Sequence, residues 1–280
     1  NSAIINGGTF INEDSYCVEN HDTAYDDSIS KLIINGGSFK GKEHCVVNYE
    51  LLIINVGNFE QFGQGDSHYC CIKNTFTRPE LTINGGSFHG VSRCIESDGT
   101  LDINGGIFSQ TDEDTFYSIL IENTGNLTID GGVFTSNGET IRNAQSSDEI
   151  GTLTINAGVF NKNGQIDDYH DCIRNQSILT VNGGTFNMQG GGYCIESSDT
   201  ATINGGTFNN NTCKLSCINS YGTGNLTVNY GVFNMSDGYS GIETFDENTV
   251  ISGLRFNGPK VPYGVNGQKV TLLVDTDFFL

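Results

Sequence analysis

Apolar and polar residues alternate in short runs that end at paired glycines. In "LTINGGSF", at 81–88, Leu, Ile and Phe alternate with polar residues until the Gly-Gly pair interrupts them. A period of two predicts β-strands. Paired glycines would destabilise a helix but suit a sharp bend. The pattern therefore predicts two short strands that meet at a corner.

The same run recurs along almost the whole chain. Its core, Asn-Gly-Gly-x-Phe with small variations, occupies 6–10, 35–39, 55–59, 84–88, 104–108, 130–134, 156–160, 182–186, 204–208 and 229–233, with a degenerate copy at 252–256. A second strand-like segment, such as "CIES" at 94–97, follows each copy, so that one unit takes 20 to 29 residues. One such coil cannot bury its apolar edge alone, whereas coils stacked about 4.8 Å apart can.

We therefore predict an all-β fold, a single parallel β-helix of about 10–11 coils over residues 1–257. Residues 258–280 are expected to form a C-terminal strand or cap, or a junction to a further domain. An uncapped solenoid end exposes unpaired strand edges, so end-to-end or side-by-side self-association is a further expectation.

The first motif position is almost always asparagine, and stacking would place these side chains in one column. Each amide could donate to the next carbonyl along the column. The predicted structural ladder is Asn6, Asn35, Asn55, Asn84, Asn104, Asp130, Asn156, Asn182, Asn204 and Asn229. The repeated pentapeptide is thus interpreted as the frame of the protein, not as its active site.

These apolar columns and asparagine ladders resemble the right-handed parallel β-helix of the pectin-lyase-like superfamily. "TINGGTF" at 202–208 is similar to repeats in bacterial surface proteins of that fold. The resemblance implies a fold more than an activity, because the superfamily includes polysaccharide lyases, hydrolases, phage tailspikes and non-catalytic adhesins.

Net charge limits the partners. The chain carries a formal charge of −20 with only 13 Lys and Arg, which argues against nucleic acid and anionic membranes. No apolar run is long enough for a transmembrane helix, so membrane insertion is not expected. Neutral glycans, basic or surface proteins and cations are the remaining partner classes. An extracellular or cell-surface location is expected.

Seven cysteines share one position of the second segment, and three interpretations are open. They are Cys17, Cys45, Cys71, Cys94, Cys172, Cys194 and Cys217. Buried free thiols are favoured, and disulfides between neighbouring coils are geometrically feasible. A metal site is disfavoured because ligands stacked in one column do not converge on a tetrahedron. Free thiols would indicate a bacterial source that lives anaerobically or keeps this protein reduced.

Charged residues also share a column, in which Lys73 would pair with Glu96, Glu122 with Arg142, and Arg174 with Glu196. This resembles cross-strand charge matching on a solvated sheet, so we interpret it as structural.

Three connections after the motif phenylalanine are longer than the others, at 60–70, 109–119 and 161–171. They should project from one edge of alternate coils, where a rigid solenoid can present binding groups. Their ligand-binding candidates are Asp66, His68, Tyr69, Asp112, Glu113, Asp114, Tyr117, Asp167, Asp168, Tyr169, His170 and Asp171. Tyrosine rings can stack on sugars, and carboxylates can accept hydroxyl hydrogen bonds or hold Ca²⁺. No other cofactor is expected.

We expect a non-catalytic surface or adhesive module that presents loops for glycan or protein recognition. One alternative is a polysaccharide lyase or glycoside hydrolase, since Asp167 and Asp168 lie near His170 and Arg174. The hydrolase family it would resemble spreads its motifs over successive coils and includes G-H-G and R-x-K, neither of which occurs here. A structural stalk or self-assembling fibre subunit is the second alternative.

Overall fold

A computed structural model shows a β-solenoid built from three parallel sheets, so the predicted all-β stacked-coil fold is confirmed. The structure describes residues 2–21, 29–66, 68–75, 79–111, 118–145, 150–164, 170–210, 215–222, 224–235, 241–245 and 248–257, with the backbone of 263–265 and 270–272. Each coil contributes one strand to sheet A, then one to sheet B and one to sheet C.

Sheet A contains the strands that precede the Asn-Gly-Gly corner. They are β1 (Ser2–Ile5), β4 (Lys31–Ile34), β7 (Leu51–Ile54), β10 (Glu80–Ile83), β13 (Thr100–Ile103), β16 (Asn126–Ile129), β19 (Thr152–Ile155), β22 (Ile178–Val181), β25 (Ala201–Ile203), β28 (Leu226–Val228), β31 (Thr249–Ile251) and β34 (Val270–Leu272).

Sheet B contains the strands with the motif phenylalanine. They are β2 (Thr9–Asn12), β5 (Ser38–Gly41), β8 (Asn58–Gln61), β11 (Ser87–Gly90), β14 (Ile107–Gln110), β17 (Val133–Ser136), β20 (Val159–Lys162), β23 (Thr185–Met188), β26 (Thr207–Asn210), β29 (Val232–Met235) and β32 (Arg255–Asn257).

Sheet C contains the second segment of each repeat. Its strands are β3 (Tyr16–Asn20), β6 (His44–Asn48), β9 (Cys70–Asn74), β12 (Arg93–Ser97), β15 (Ile119–Asn123), β18 (Glu139–Asn143), β21 (Ile173–Asn175), β24 (Ile195–Ser197), β27 (Ile218–Ser220), β30 (Ile242–Thr244) and β33 (Tyr263–Val265). Strands β33 and β34 pair with β30 and β31, so the backbone of 263–265 and 270–272 continues sheets C and A.

Stacked phenylalanine rings fill the core. From Phe10 to Phe233, one ring per coil stacks on the next with centroids 4.7–4.9 Å apart and planes within 15° of parallel. This spacing equals the distance between paired parallel strands. In-register stacking of identical repeats therefore accounts for the column.

The corner between sheets A and B depends on the second glycine of the motif. Gly106 has a φ of +120°, and a Cβ there would lie 3.2 Å from the ring of Phe108. A side chain is strained in this left-handed region. The first glycine position is less restricted, since Val56, Ala157 and Tyr230 occupy it in three copies.

The predicted asparagine ladder runs along this corner and is confirmed. In eight of the nine links, an Nδ2 donates to the Oδ1 of the preceding coil at 2.7–2.8 Å, from Asn35 to Asn6 and onward to Asn229. Asp130 accepts from Asn156 but, as a carboxylate, has no N–H to give Asn104. We call this exposed row the corner ladder.

Two further ladders stabilise the coils. An inner ladder after sheet C is buried and donates in the opposite direction: Asn20 to Asn48, Asn48 to Asn74, Asn74 to Ser97, Asn123 to Asn143, Asn143 to Asn175 and Asn175 to Ser197. A third ladder on sheet B joins Asn161, Asn187, Asn209, Asn234 and Asn257 at 2.6–2.8 Å. The third was not predicted, although "TFN" in the motif is its signal.

The eight cysteines that the structure describes carry free thiols. The seven column thiols each lie near a motif phenylalanine carbonyl, as Cys45 Sγ does at 3.4 Å from Phe39 O. A weak S–H donation inside the apolar core fits the favoured interpretation of a buried thiol column. Over the same described residues, no helix is long and apolar enough to cross a membrane.

Candidate functional site

The three long connections leave sheet B and return to sheet C, in the coils that contain β8 and β9, β14 and β15, and β20 and β21. They therefore lie at one edge of alternate coils, which we call the loop edge. Buried and partly buried charged side chains lie beside it on the outer face of sheet C. This face and the loop edge together form the candidate site.

The first charged cluster surrounds Arg93, which is only 2% exposed. Its guanidinium contacts Glu96 within the same strand and reaches Glu122 of the next coil at 2.7 Å. Lys73 lies 3.1 Å from Glu96, as predicted from the sequence. His68 Nδ1 lies 3.2 Å from the other oxygen of Glu96. Arg93 thus explains why Glu96 and Glu122, which carry the same charge, can be neighbours in register.

The second cluster is centred on Arg174 and contains three carboxylates. Arg174 lies 3.1 Å from both Glu139 and Asp171 and 3.0 Å from Glu196. The Glu196 contact confirms one predicted pair. Arg142 is the second cation, and its guanidinium contacts Glu139 rather than the predicted Glu122, although the register places Glu122 beside it.

Burial shifts the ionisation of this second cluster. Removal from water raises the pKa of Glu139, and Arg142 and Arg174 oppose this only in part. The pKa of Asp171 is raised well above its usual value by burial, and Glu196 adds to the rise. Both carboxylates are inaccessible to solvent, at 0% and 1% exposure. These two acids are therefore held as internal groups.

Lys73 and Arg174 keep their charge. Burial lowers the pKa of Arg174 and of Lys73, but neighbouring carboxylates outweigh it, and the net pKa of each is raised. Burial raises the pKa of Glu96, yet Arg93 and Lys73 reverse this, and its net pKa is lowered. A Lys or Arg that served as a general base would need a lowered pKa. Neither Lys73 nor Arg174 has a lowered pKa, so neither is suited to act as a general base.

Beside the first cluster, His44 contacts Cys70. The Cys70 N–H donates to His44 Nδ1 at 3.3 Å, and Cys70 Sγ lies 3.4 Å from the same nitrogen. Burial lowers the pKa of His44, so the ring favours its neutral form. Cys70 is fully buried, and burial raises its pKa far above the usual range. Such a thiol is structural rather than reactive.

Five of the predicted ligand-binding residues lie in the described part. Asp66 and His68 are exposed, and Asp66 Oδ1 accepts from the His68 N–H at 2.9 Å. Tyr69 is partly buried, with its hydroxyl 3.5 Å from Glu43 Oε1 and its ring edge-on to His44 at 6.2 Å. At the third connection, His170 is partly buried.

Asp171 has an internal role in the structure. Its Oδ1 accepts from the Tyr193 N–H at 2.9 Å, and its other oxygen accepts from Arg174. The other seven candidates lie outside the described residues: Asp112, Glu113, Asp114, Tyr117, Asp167, Asp168 and Tyr169.

Sequence reasoning missed Arg93, Glu139 and Lys162 as buried charges. Arg93 and Glu139 immediately precede the buried column position, where other coils have Tyr, His, Cys, Ile, Ser or, at Asp171, another acid. Lys162 occupies an inward position of sheet B, and its Nζ donates to Asn137 O at 2.6 Å. Their irregular occurrence in otherwise repetitive columns was the available signal. Within the described ranges, no three His, Cys, Asp or Glu side chains are arranged to hold a metal ion.

Comparisons of the chain with protein-family models, with curated proteins and with solved structures found no match.

Proposed function

We propose that the protein is a non-catalytic, extracellular surface or adhesive module that recognises a glycan or a protein through its loop edge. The observation that carries the proposal is the internal pairing of the charged groups beside that edge. Each described cation of the two clusters contacts at least one carboxylate of the same clusters. Groups paired in this way stabilise a rigid face but have little freedom to act on a substrate.

Burial of the perturbed acids supports a binding role over turnover. A general acid must come within hydrogen-bond distance of the reacting oxygen. Glu139 and Asp171 have the raised pKa values that suit an acid, yet both are enclosed by the protein. Tyr69 and His68, in contrast, lie at the accessible edge, where an aromatic ring can stack on a sugar and an imidazole can hydrogen-bond a hydroxyl.

Free thiols fit a surface protein from an anaerobic bacterium. The described cysteines are unpaired, and all except Cys17 are buried. Membership of the pectin-lyase-like superfamily and a right-handed coil are part of the same proposal. Ca²⁺ is proposed only as an optional ligand of the loop-edge carboxylates.

A glycan array with a parallel degradation assay, with and without Ca²⁺, tests the proposal. We expect wild-type protein to bind without releasing products and Tyr69→Ala to bind at least about tenfold more weakly, since ring stacking on a sugar is lost. Phe245→Ala is the matched control, because Phe245 is an exposed aromatic residue between sheets C and A. Unsaturated or reducing-end products would identify a lyase or hydrolase. Absence of both binding and products would indicate a structural subunit.

A further inference from the structure

Sheets A and B meet at a corner that is separate from the loop edge, because the loop edge lies between sheets B and C. The spacing from the last residue of the A strand to the motif phenylalanine is identical in each coil, as from Ile129 to Phe134 and from Val181 to Phe186. Insertions occur at the other two corners. An elongated ligand could therefore lie along this corner, parallel to the solenoid axis, without meeting a loop.

Five coils of this surface are almost free of charge. We define the neutral face as the outward side chains of sheets A and B, with the corner between them, in the coils from Asn126 to Met235. Among its strands and corners, Asp130 is the one charged residue at the surface, since Lys162 is fully buried. The whole chain has a net charge of −20. Charge is thus excluded from one side of a strongly acidic protein.

The neutral face presents hydrogen-bonding groups that are already fixed in position. The corner ladder and the third ladder both run through it, and each link uses one N–H and one carbonyl lone pair. An amide has two of each. The corner asparagines are exposed, so the second N–H and lone pair can reach a ligand. Side chains locked by their neighbours lose little conformational entropy on binding.

The neutral face also presents hydroxyl and methyl groups, which recur once per coil as the ladder amides do. One threonine per coil lies in register on sheet A: Thr128, Thr154, Thr180, Thr202 and Thr227. On sheet B, Val133 and Val159 are followed in register by Thr185 and Thr207. Tyr230 is exposed at the corner and offers a ring face. None of these groups is charged. The amides and hydroxyls can hydrogen-bond the hydroxyls of an uncharged sugar polymer, and the methyl groups and the aromatic ring can pack on its sugar rings.

We propose that the neutral face is a second binding site, for an extended, uncharged polysaccharide chain that lies parallel to the solenoid axis. It is separate from the loop edge of the proposed function. Five stacked coils give it a length of about 20 Å. An acidic polysaccharide would be repelled by the charge of the protein.

Affinity electrophoresis in gels that contain hydroxyethylcellulose or galactomannan tests this site, with polygalacturonate as the acidic comparison. Val133→Lys and Thr180→Lys place a charge on the face and should weaken retardation by the neutral polymers about tenfold. Ile150→Lys is the matched control, because Ile150 is 62% exposed outside the face and the charge change is the same. Thr180→Val removes one hydroxyl at constant shape and should weaken binding even if a lysine there impairs folding.

The outcomes separate this site from the loop edge. Loss of retardation in the face variants, with Ile150→Lys and Tyr69→Ala unaffected, supports the neutral face. Loss in Tyr69→Ala alone overturns it and leaves the loop edge as the glycan site. Equal retardation of all variants, or no retardation of the wild type, also overturns it. Sedimentation velocity adds one more outcome: self-association abolished by the face variants would assign the face to a second copy of the chain.

Discussion

Asp130 interrupts the corner ladder, in which the other nine motif positions have asparagine. Its carboxylate and the Asn104 carbonyl are both acceptors, so the link between their coils lacks a donor. We expect Asp130→Asn to add this hydrogen bond and to raise the free energy of unfolding by about 0.5–1 kcal/mol. Urea denaturation measures the change. A destabilised variant would show that the carboxylate has another role.

Arg93 is a nearly buried cation that lies between two carboxylates. Its removal would leave Glu96 and Glu122 as adjacent, partly buried like charges. We expect Arg93→Ala to lower the free energy of unfolding by about 3–5 kcal/mol. In that background Glu122→Gln should recover part of the loss, because it removes one of the two charges.

The matched control for Arg93 is an exposed pair. Lys40 and Glu60 lie 2.6 Å apart but are about 40% exposed, so Lys40→Ala should cost less than about 1 kcal/mol. Equal costs for Arg93→Ala and Lys40→Ala in urea unfolding would contradict the role given to burial.

Asp171 should make stability depend on pH. Its folded pKa is raised by burial and by Glu196, above the unfolded value of about 3.9. The folded state then holds the proton more tightly than the unfolded state. Its contribution therefore falls as pH rises from about 4 through the folded pKa. Asp171→Asn should flatten this slope in urea unfolding above about pH 4, and Glu80→Gln is the control for the loss of an exposed carboxylate. An unchanged slope in Asp171→Asn would mean that Arg174 dominates.

At the scale of the element, each strand of sheet B from β5 to β29 alternates a buried phenylalanine with outward residues. Phe134 is fully buried between Phe108 and Phe160. Phe134→Ala should lower the free energy of unfolding by about 3–5 kcal/mol through lost burial and a cavity. The adjacent Val133 is partly exposed, and Val133→Ala should cost less than about 1 kcal/mol. Similar costs would refute the assignment of inward and outward faces.

The strands, corners and corner ladder could be predicted because their signals are local and repeated in the sequence. Asn-Gly-Gly fixes the corner, and one phenylalanine per repeat fixes the register. The charged clusters could not be predicted in full, since Glu139 reaches Arg142 in its own strand and Arg174 in the next coil. Such contacts depend on the three-dimensional position of side chains that break the repeat. Of the three ion pairs predicted from the sequence, the structure contains two, Lys73 with Glu96 and Arg174 with Glu196.

At the scale of the whole molecule, the solenoid separates two surfaces. The loop edge and sheet C bring together perturbed and paired charges, while the neutral face has almost none. Parallel stacking makes this separation possible, because residues at the same position of successive coils all lie on the same side of the solenoid. The repeat is therefore a rigid frame, and recognition depends on what each side presents.

The most direct test of this account is a long incubation of wild-type protein with the polysaccharides that it retains on the array, followed by chromatography of the soluble products. The account predicts retained binding, with no new reducing ends and no unsaturated sugars. Products that accumulate in proportion to protein and time would contradict it, because they would require a catalytic group at an edge that we assign to binding alone.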